Sequence, residues 1–197
     1  MREKEYRMRH EFIGQEPTVD LVAVLLDRHR RIHDLLDRIQ SGGRALPRRF
    51  DDLVRLFAAH EYAEHRVAHP AARSAGIPGH VVDHLMAEEN DLERALAALC
   101  ALGADDPRFH LDFGEFAAAA GLHCAREEQE EFVWLGSLPA ADRRELGRSL
   151  LTAESLAPTR PHPLARRSGL ARWTVAPVAA LWDRLIDTMR RDRSRLP

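Results

Sequence analysis

Hydrophobic residues recur every three or four positions through most of the chain, which is the spacing of a helix with one buried face. The first such run predicts a helix over residues 18–40, with Thr18 as its N-cap. A serine and two glycines at 41–43 are expected to end it. Its inward line is predicted to be Leu25, His29, Ile32, Leu36 and Ile39.

Three further runs of the same kind follow. The second helix is predicted over residues 48–69 and is expected to stop before Pro70. The third covers residues 80–102, and the fourth begins after Pro107. The inward line of the second is Phe50, Leu53, Phe57, His60, Glu64 and Val67. That of the third is Val81, His84, Glu88, Leu92, Ala95 and Leu99. That of the fourth is Phe113, Phe116, Ala120, His123, Glu127, Glu130 and Trp134.

Four helices of similar length with short connections predict an all-α fold, an antiparallel up-down four-helix bundle with a C-terminal helical extension. No stretch alternates with period two for long enough to predict a strand. The expected divisions are a loose arm over residues 1–17, the bundle over 18–136 and C-terminal helices over 137–197.

The C-terminal part predicts a fifth helix over residues 138–155, a proline-rich linker over 157–163 and a last helix over 175–191. The last helix is amphipathic, with Val178, Leu181, Trp182, Leu185 and Met189 on one side. From residue 159 onward there are nine arginines and three aspartates, so this tail is basic. Packing on the bundle or across a homodimer is favoured over binding to a membrane surface.

Composition limits the partners and the cellular location that are expected. A net charge of −2 gives no general reason to expect nucleic-acid binding. Cys100 and Cys124 lack C-x-x-C spacing, so no disulfide framework and a cytoplasmic location are expected. Residues 1–9 are charged and no apolar run approaches about 20 residues, so neither a signal peptide nor an integral membrane segment is expected.

Each predicted helix places one histidine on its apolar line, and three of the four carry a glutamate one turn later. Residues four apart lie on the same helix face, and a buried carboxylate needs a partner. The four histidines are therefore predicted to meet in one layer inside the bundle. Imidazole and carboxylate donors together suit iron, manganese or zinc. The candidate ligands are His29, His60, Glu64, His84, Glu88, His123 and Glu127.

The other histidines have a simpler interpretation as surface or capping residues. His33 lies at the edge of its stripe, and His80 falls in a first helical turn. His65 is one step past Glu64, which turns it about 100° away, and it pairs with His69 at helical spacing. Glu130 is either a gate to the site or part of an exposed bundle end.

With these motifs the sequence resembles the hemerythrin-like, or HHE cation-binding, family of the actinobacterial type. The family pattern is a histidine on the first helix, His-x-x-x-Glu on the second, a histidine on the third and His-x-x-x-Glu on the fourth. Six residues match it, namely His29, His60, Glu64, His84, His123 and Glu127. The resemblance extends over about residues 18–190.

The resemblance implies a centre of two iron ions, bridged by carboxylate and by oxo or hydroxo groups. It also implies that Glu61, beside His60, is either a further ligand or a surface glutamate. The chain departs from the family at Arg28, where many members have aspartate, and at Glu88, where oxygen carriers have a second histidine. Reversible oxygen carriage is therefore not expected.

The predicted function is a non-haem di-iron protein that binds or reacts with a small oxidant: O2, H2O2 or NO. Its enzymatic version is catalase-like decomposition of peroxide, and the sequence does not decide whether the protein is an enzyme. Two alternatives stay open. One is a non-enzymatic iron or redox sensor that signals through the C-terminal helix. The other is a bundle with a mononuclear metal site.

Overall fold

The computed structural model describes residues 19–158, and within that range all regular structure is helical. The helical runs are α1 (Leu21–Gln40), α2 (Leu46–Ala63), α3 (His69–Ala75), α4 (Gly79–Leu102), α5 (Phe109–Arg126), α6 (Phe132–Ser137) and α7 (Ala140–Leu156). A first π segment, Glu64–Ala68, joins α2 to α3, and a second π segment, Glu127–Glu131, joins α5 to α6. The prediction of an all-α helical bundle is confirmed. No helix in the described range combines the length and apolarity needed to cross a membrane.

The start of α1 differs from the prediction. Asp20 is the N-cap, and its Oδ1 accepts hydrogen bonds from the backbone N–H groups of Val22 at 3.1 Å and Ala23 at 3.4 Å. Thr18, the predicted cap, lies outside the described residues. An aspartate cap satisfies two backbone donors and also places a negative charge at the positive end of the helix dipole.

Pro70 does not end the second helix, contrary to the prediction. The run continues to Ala75 and ends at Gly76, whose φ of +100° favours glycine. Just before the proline, the backbone N–H of His69 donates to the carbonyl of Glu64, five residues back. This wider turn places Pro70 in the first turn of α3, where a proline is tolerated.

The four long runs pack as two pairs, with α1 beside α2 and α4 beside α5. Helix α7 covers α1, α2 and the first π segment. Arg28 of α1 holds α7 in place, since its Nε and Nη2 each donate to a carboxylate oxygen of Glu154 at 2.8 Å. Arg28 therefore has a structural role.

Two apolar clusters lie above and below a polar layer. Along α1, Leu25 belongs to one cluster and Ile32 to the other, with His29 between them. Along α2, Phe57 and Ala63 flank His60 in the same way. The apolar stripes therefore build the bundle, and the residues that interrupt them form a buried layer across it.

Several predictions fall on residues outside the described range. These are the N-terminal arm over 1–17, most of the linker over 157–163 and the last helix over 175–191. The division into three parts at 17/18 and 136/137 likewise stays a prediction.

Candidate metal centre

The polar layer contains a tight group of histidine and carboxylate side chains. Donor atoms of His29, His60, Glu64 and Glu127 all lie within 4.8 Å of one another, and all four residues are buried. They come from α1, the end of α2 and the starts of the two π segments. Three parts of the chain that are remote in sequence, around His29, His60 with Glu64, and Glu127, thus meet at one point.

Glu127 faces two histidines from different helices. Its Oε2 lies 3.3 Å from Nε2 of His29, and its Oε1 lies 3.3 Å from Nε2 of His123. Within the same group, Oε2 of Glu64 lies 3.2 Å from Nε2 of His60. Metal–ligand distances of about 2.1 Å put neighbouring ligand atoms roughly 3.0 to 3.4 Å apart, so these spacings suit ligands of a shared cation.

A second group adjoins the first. Donor atoms of Glu61, Glu89 and His123 lie within 4.8 Å of one another, and all three residues are buried. Nε2 of His123 is 4.0 Å from Oε1 of Glu61. Since Nε2 of His123 also lies 3.3 Å from Oε1 of Glu127, the two groups are in direct contact.

Two of the histidines are oriented by carboxylates at the rim of the layer. Nδ1 of His29 donates to Oε1 of Glu128 at 2.8 Å, and Nδ1 of His123 donates to Oε2 of Glu88 at 3.2 Å. A proton fixed on Nδ1 leaves the Nε2 lone pair directed into the layer, which is the tautomer that a metal ligand requires.

Burial gives the ionisable groups of the layer unusual pKa values. Burial, reinforced by the nearby His29, lowers the pKa of His60 to about 3. Burial also raises the pKa of Glu64 well above its usual value, and the carboxylate of Glu127 adds to that shift. Burial opposes ionisation of Glu127 as well, but His123 outweighs it and lowers the pKa to about 2.

The donors fit a bound cation. Among the described residues, Nε2 of His29, both oxygens of Glu64 and both oxygens of Glu127 are buried without a hydrogen-bond partner. Each such atom costs about 1–3 kcal/mol if it stays unsatisfied, and nearby carboxylates also repel one another. A cation satisfies several of these atoms at once, and nitrogen with oxygen donors suits iron, manganese or zinc.

The structure does not bring His84 into this layer. Its side chain is 60% exposed and lies 3.4 Å from Glu88, which is itself 19% exposed. The predicted inward line of the third helix is wrong in its first half, because the buried residues there are Val82, Leu85 and Glu89. Glu89 therefore occupies the inward place on α4, and Glu88 supports His123 from the rim.

Four buried residues of the layer were not among the predicted ligands: His65, His69, Glu89 and Glu131. Nε2 of His69 lies 2.5 Å from Oε1 of Glu89, and Nδ1 lies 2.9 Å from Oε1 of Glu131. His65 contacts the other oxygen of Glu89. The surface interpretation of His65 and His69 is wrong. The wider turn of the first π segment changes which face of the helix is occupied by the side chains after Glu64. A sequence signal was available, since Leu85, Glu89, Leu92, Leu96 and Leu99 form a line at helical spacing.

The second π segment has the same effect on the fourth stripe. It adds a residue to the turn, so the buried positions after Glu127 are Glu131 and Leu135. Glu130 is exposed and Trp134 is 37% exposed, so the predicted stripe is wrong beyond Glu127. Of the histidines assigned to the surface, His33, His80 and His110 are indeed exposed, and His10 and His162 lie outside the described residues.

Comparisons with known proteins bear on the fold and on the family of the chain. A crystal structure of a hemerythrin HHE cation binding domain-containing protein from Mycobacterium kansasii is similar in fold, with a TM-score of 0.61 and 20% sequence identity. The similarity covers 69% of this chain and 85% of that one. No curated protein matches the sequence. The family model described as Hemerythrin HHE cation binding domain matches residues 20–135. The chain therefore belongs to the hemerythrin HHE cation-binding domain family, and its buried histidine and glutamate groups are compatible with metal binding.

Proposed function

We propose that the protein is a non-haem di-iron protein that binds or reacts with O2, H2O2 or NO. The observation that carries the proposal is the placement of Glu127, whose two oxygens each lie 3.3 Å from a different histidine, His29 and His123. A carboxylate shared between two histidines from two helices is the arrangement expected of a bridge between two ions.

The ligand assignment follows the two groups of donors. The first ion would be held by His29, His60, Glu64 and Glu127, and the second by Glu61, Glu89 and His123. Glu127 contacts His29 of the first group and His123 of the second, so it would be the bridging carboxylate. This assignment includes Glu61 and replaces His84 by Glu89, because only Glu89 is buried on α4 at this level.

Iron bound there would supply one-electron chemistry and an open coordination position for a small oxidant. The chain supplies the enclosure. Phe132 stacks on the ring of His29 with ring centres 5.1 Å apart, and Phe57 and Leu25 close the layer from opposite sides. Bulk water is excluded, while Glu128 and Glu88 hold the imidazole protons on the outward nitrogens. We also propose a reducing cytoplasm as the location, because Cys100 and Cys124 lack C-x-x-C spacing.

The experiment is metal analysis of the full-length protein after anaerobic loading with iron. Two irons per chain are expected, with near-ultraviolet absorption that changes on adding peroxide or NO. Glu127→Ala should reduce the content to one iron or fewer. Glu130→Ala, an exposed glutamate three residues further on, is the matched control and should keep two.

Several results would contradict the proposal. One metal per chain in the unaltered protein indicates a mononuclear site, and zinc retained without a redox response excludes oxidant chemistry. Oxygen evolution from hydrogen peroxide then separates catalase-like turnover from simple binding.

A further inference from the structure

A groove runs along the outer face of α4 and α5. Its volume is about 550 Å³, and its apolar floor includes Phe116, Ala95, Ala98 and Ala119. Ala98 and Ala119 are exposed, and Leu122 at one end is 60% exposed. Small alanine side chains leave room for the large side chains of an added helix.

The rim of this groove is acidic. Glu88, Asp91, Asp112 and Glu115 line it, and Arg126 is the one basic residue among its lining residues. Arg126 is already paired with Glu88. An occupant should therefore be apolar on one side and basic on the other.

The chain itself contains such a segment. Residues 159–197 hold nine arginines and three aspartates, a net charge of +6, while the whole chain carries −2. The preceding 158 residues thus carry −8. Residues 175–191 are predicted to be an amphipathic helix whose apolar side includes Leu181, Trp182 and Leu185. We propose that this segment docks in the groove between α4 and α5 of its own chain.

The positions of the elements favour this occupant. Helix α7 covers α1 and α2, whereas no helix within residues 19–158 covers the outer face of α4 and α5. The sixteen residues 159–174 reach about 50 Å when extended at ~3.1 Å per residue. Two packed helices are roughly 20–24 Å across, so the segment reaches the opposite face of the bundle.

Docking there would also touch the metal centre from outside. Glu88 lies at the end of the groove and accepts the Nδ1 proton of His123 at 3.2 Å. A basic segment beside Glu88 competes with Arg126 and with that imidazole for the carboxylate. The tail would therefore adjust the orientation of His123, a connection that goes beyond the proposed oxidant chemistry.

Hydrogen–deuterium exchange of the full-length protein tests the docking, with and without iron. Amides of residues 175–191 should exchange at least about tenfold more slowly than in an unstructured chain. Leu181→Asp should bring them within about threefold of the unstructured rate. Ala180→Asp, on the opposite side of the predicted helix, is the matched control and should leave the protection intact.

The groove is tested from its own side by Asp91→Arg with Glu115→Arg, two exposed positions whose change does not threaten the fold. Loss of tail protection is expected. Asp142→Arg with Glu145→Arg on α7, far from the groove, should preserve it. Exchange in the tail and metal content are separate measurements. The tail can therefore prove to be undocked while the protein still binds two irons per chain, and it can prove to be docked in a protein that binds fewer.

Three outcomes would overturn the proposal. Unprotected amides in the unaltered protein mean that the tail does not dock. Protection that survives the groove variant places the tail elsewhere. Protection that disappears on dilution, together with a dimer in analytical ultracentrifugation, places it on a second copy of the chain.

Discussion

His69 and Glu89 are joined across the interior of the bundle, with Nε2 of the imidazole 2.5 Å from Oε1 of the carboxylate. Burial opposes protonation of His69, but Glu89 and Glu131 outweigh it and raise the pKa of this histidine well above its usual value. A carboxylate oxygen has lone pairs for both a hydrogen bond and a metal ion. The contact therefore fixes Glu89 on the inward side of α4 without removing it from the metal site.

Glu89→Gln is expected to reduce iron binding from two ions per chain to one, because a neutral amide is a much poorer ligand than a carboxylate. His84→Gln is the matched control on the same helix, and it should keep both ions since its side chain is 60% exposed. Metal content after gel filtration measures the difference. If His84→Gln loses an ion and Glu89→Gln keeps both, then the ligand on α4 is His84, as predicted from the sequence.

Glu64→Gln should stabilise the metal-free protein while weakening metal binding. Burial raises the pKa of Glu64 well above its usual value, so the unfolded chain ionises before the folded state, and stability falls as pH rises above about 4.5, the pKa in an unfolded chain. A glutamine cannot ionise, so the substitution should raise the free energy of unfolding by about 1–2 kcal/mol. Denaturant unfolding with a chelator at pH 5 and pH 8 measures it, and the gain should be larger at pH 8. Equal gains at both values, or a gain from the exposed control Glu130→Gln, would argue against this explanation.

Two histidines of the metal-free layer should titrate far apart. Burial opposes protonation of His123, but the carboxylates of Glu127 and Glu61 outweigh it and raise its pKa to about 9. The pKa of His60 is lowered to about 3. The stabilisation from His123 is thus fully present below pH 6.5 and is lost as pH rises through 9.

NMR titration of the imidazole signals in the chelated protein measures both values. His123→Gln should flatten the loss of stability between pH 6.5 and 9, by an amount on the order of 2 kcal/mol. Midpoints near 6.5 for both rings would show that the layer is open to water.

Gly147→Ala should loosen α7 from the start of α1. A Cβ at this position would lie 2.5 Å from the backbone oxygen of Val19, so the two backbones must separate. A loss of about 1–3 kcal/mol in the free energy of unfolding is expected. Gly114→Ala is the control, since nothing lies within 4 Å of its added Cβ, and it should be neutral or stabilising by up to about 1 kcal/mol. Similar losses in both variants would place the cost in the helix itself and not in the contact.

Periodicity was sufficient to predict the helices and about half of the buried layer, namely His29, His60, Glu64, His123 and Glu127. His29 and His60 interrupt lines of large apolar residues, and those lines have one clear register. On α4 the registers compete, because Val81 and Ala95 on one side are nearly as apolar as Val82 and Leu96 on the other. Because the wrong register was chosen, His84 was predicted to face inward in place of Glu89.

The remaining errors come from backbone hydrogen bonding that has no clear sequence signal. After Glu64 and after Glu127 the chain adopts a wider turn, and a constant 3.6-residue period then assigns every later side chain to the wrong face. His65, His69 and Glu131 were misplaced or missed for this reason. Pro70 even suggested the opposite, the end of the helix.

The two wider turns lie at equivalent points, each beginning at the glutamate of a His-x-x-x-Glu motif. Each can be understood as one surplus residue in an otherwise ordinary helix. Deleting one residue from either turn would restore the regular winding and swing His69 or Glu131 toward solvent, while the motif before it stays in place. His69 and Glu131, which surround the metal centre, can therefore be changed independently of the two His-x-x-x-Glu motifs. A deletion of one residue should be enough to replace a buried ionisable neighbour of the centre by a different side chain.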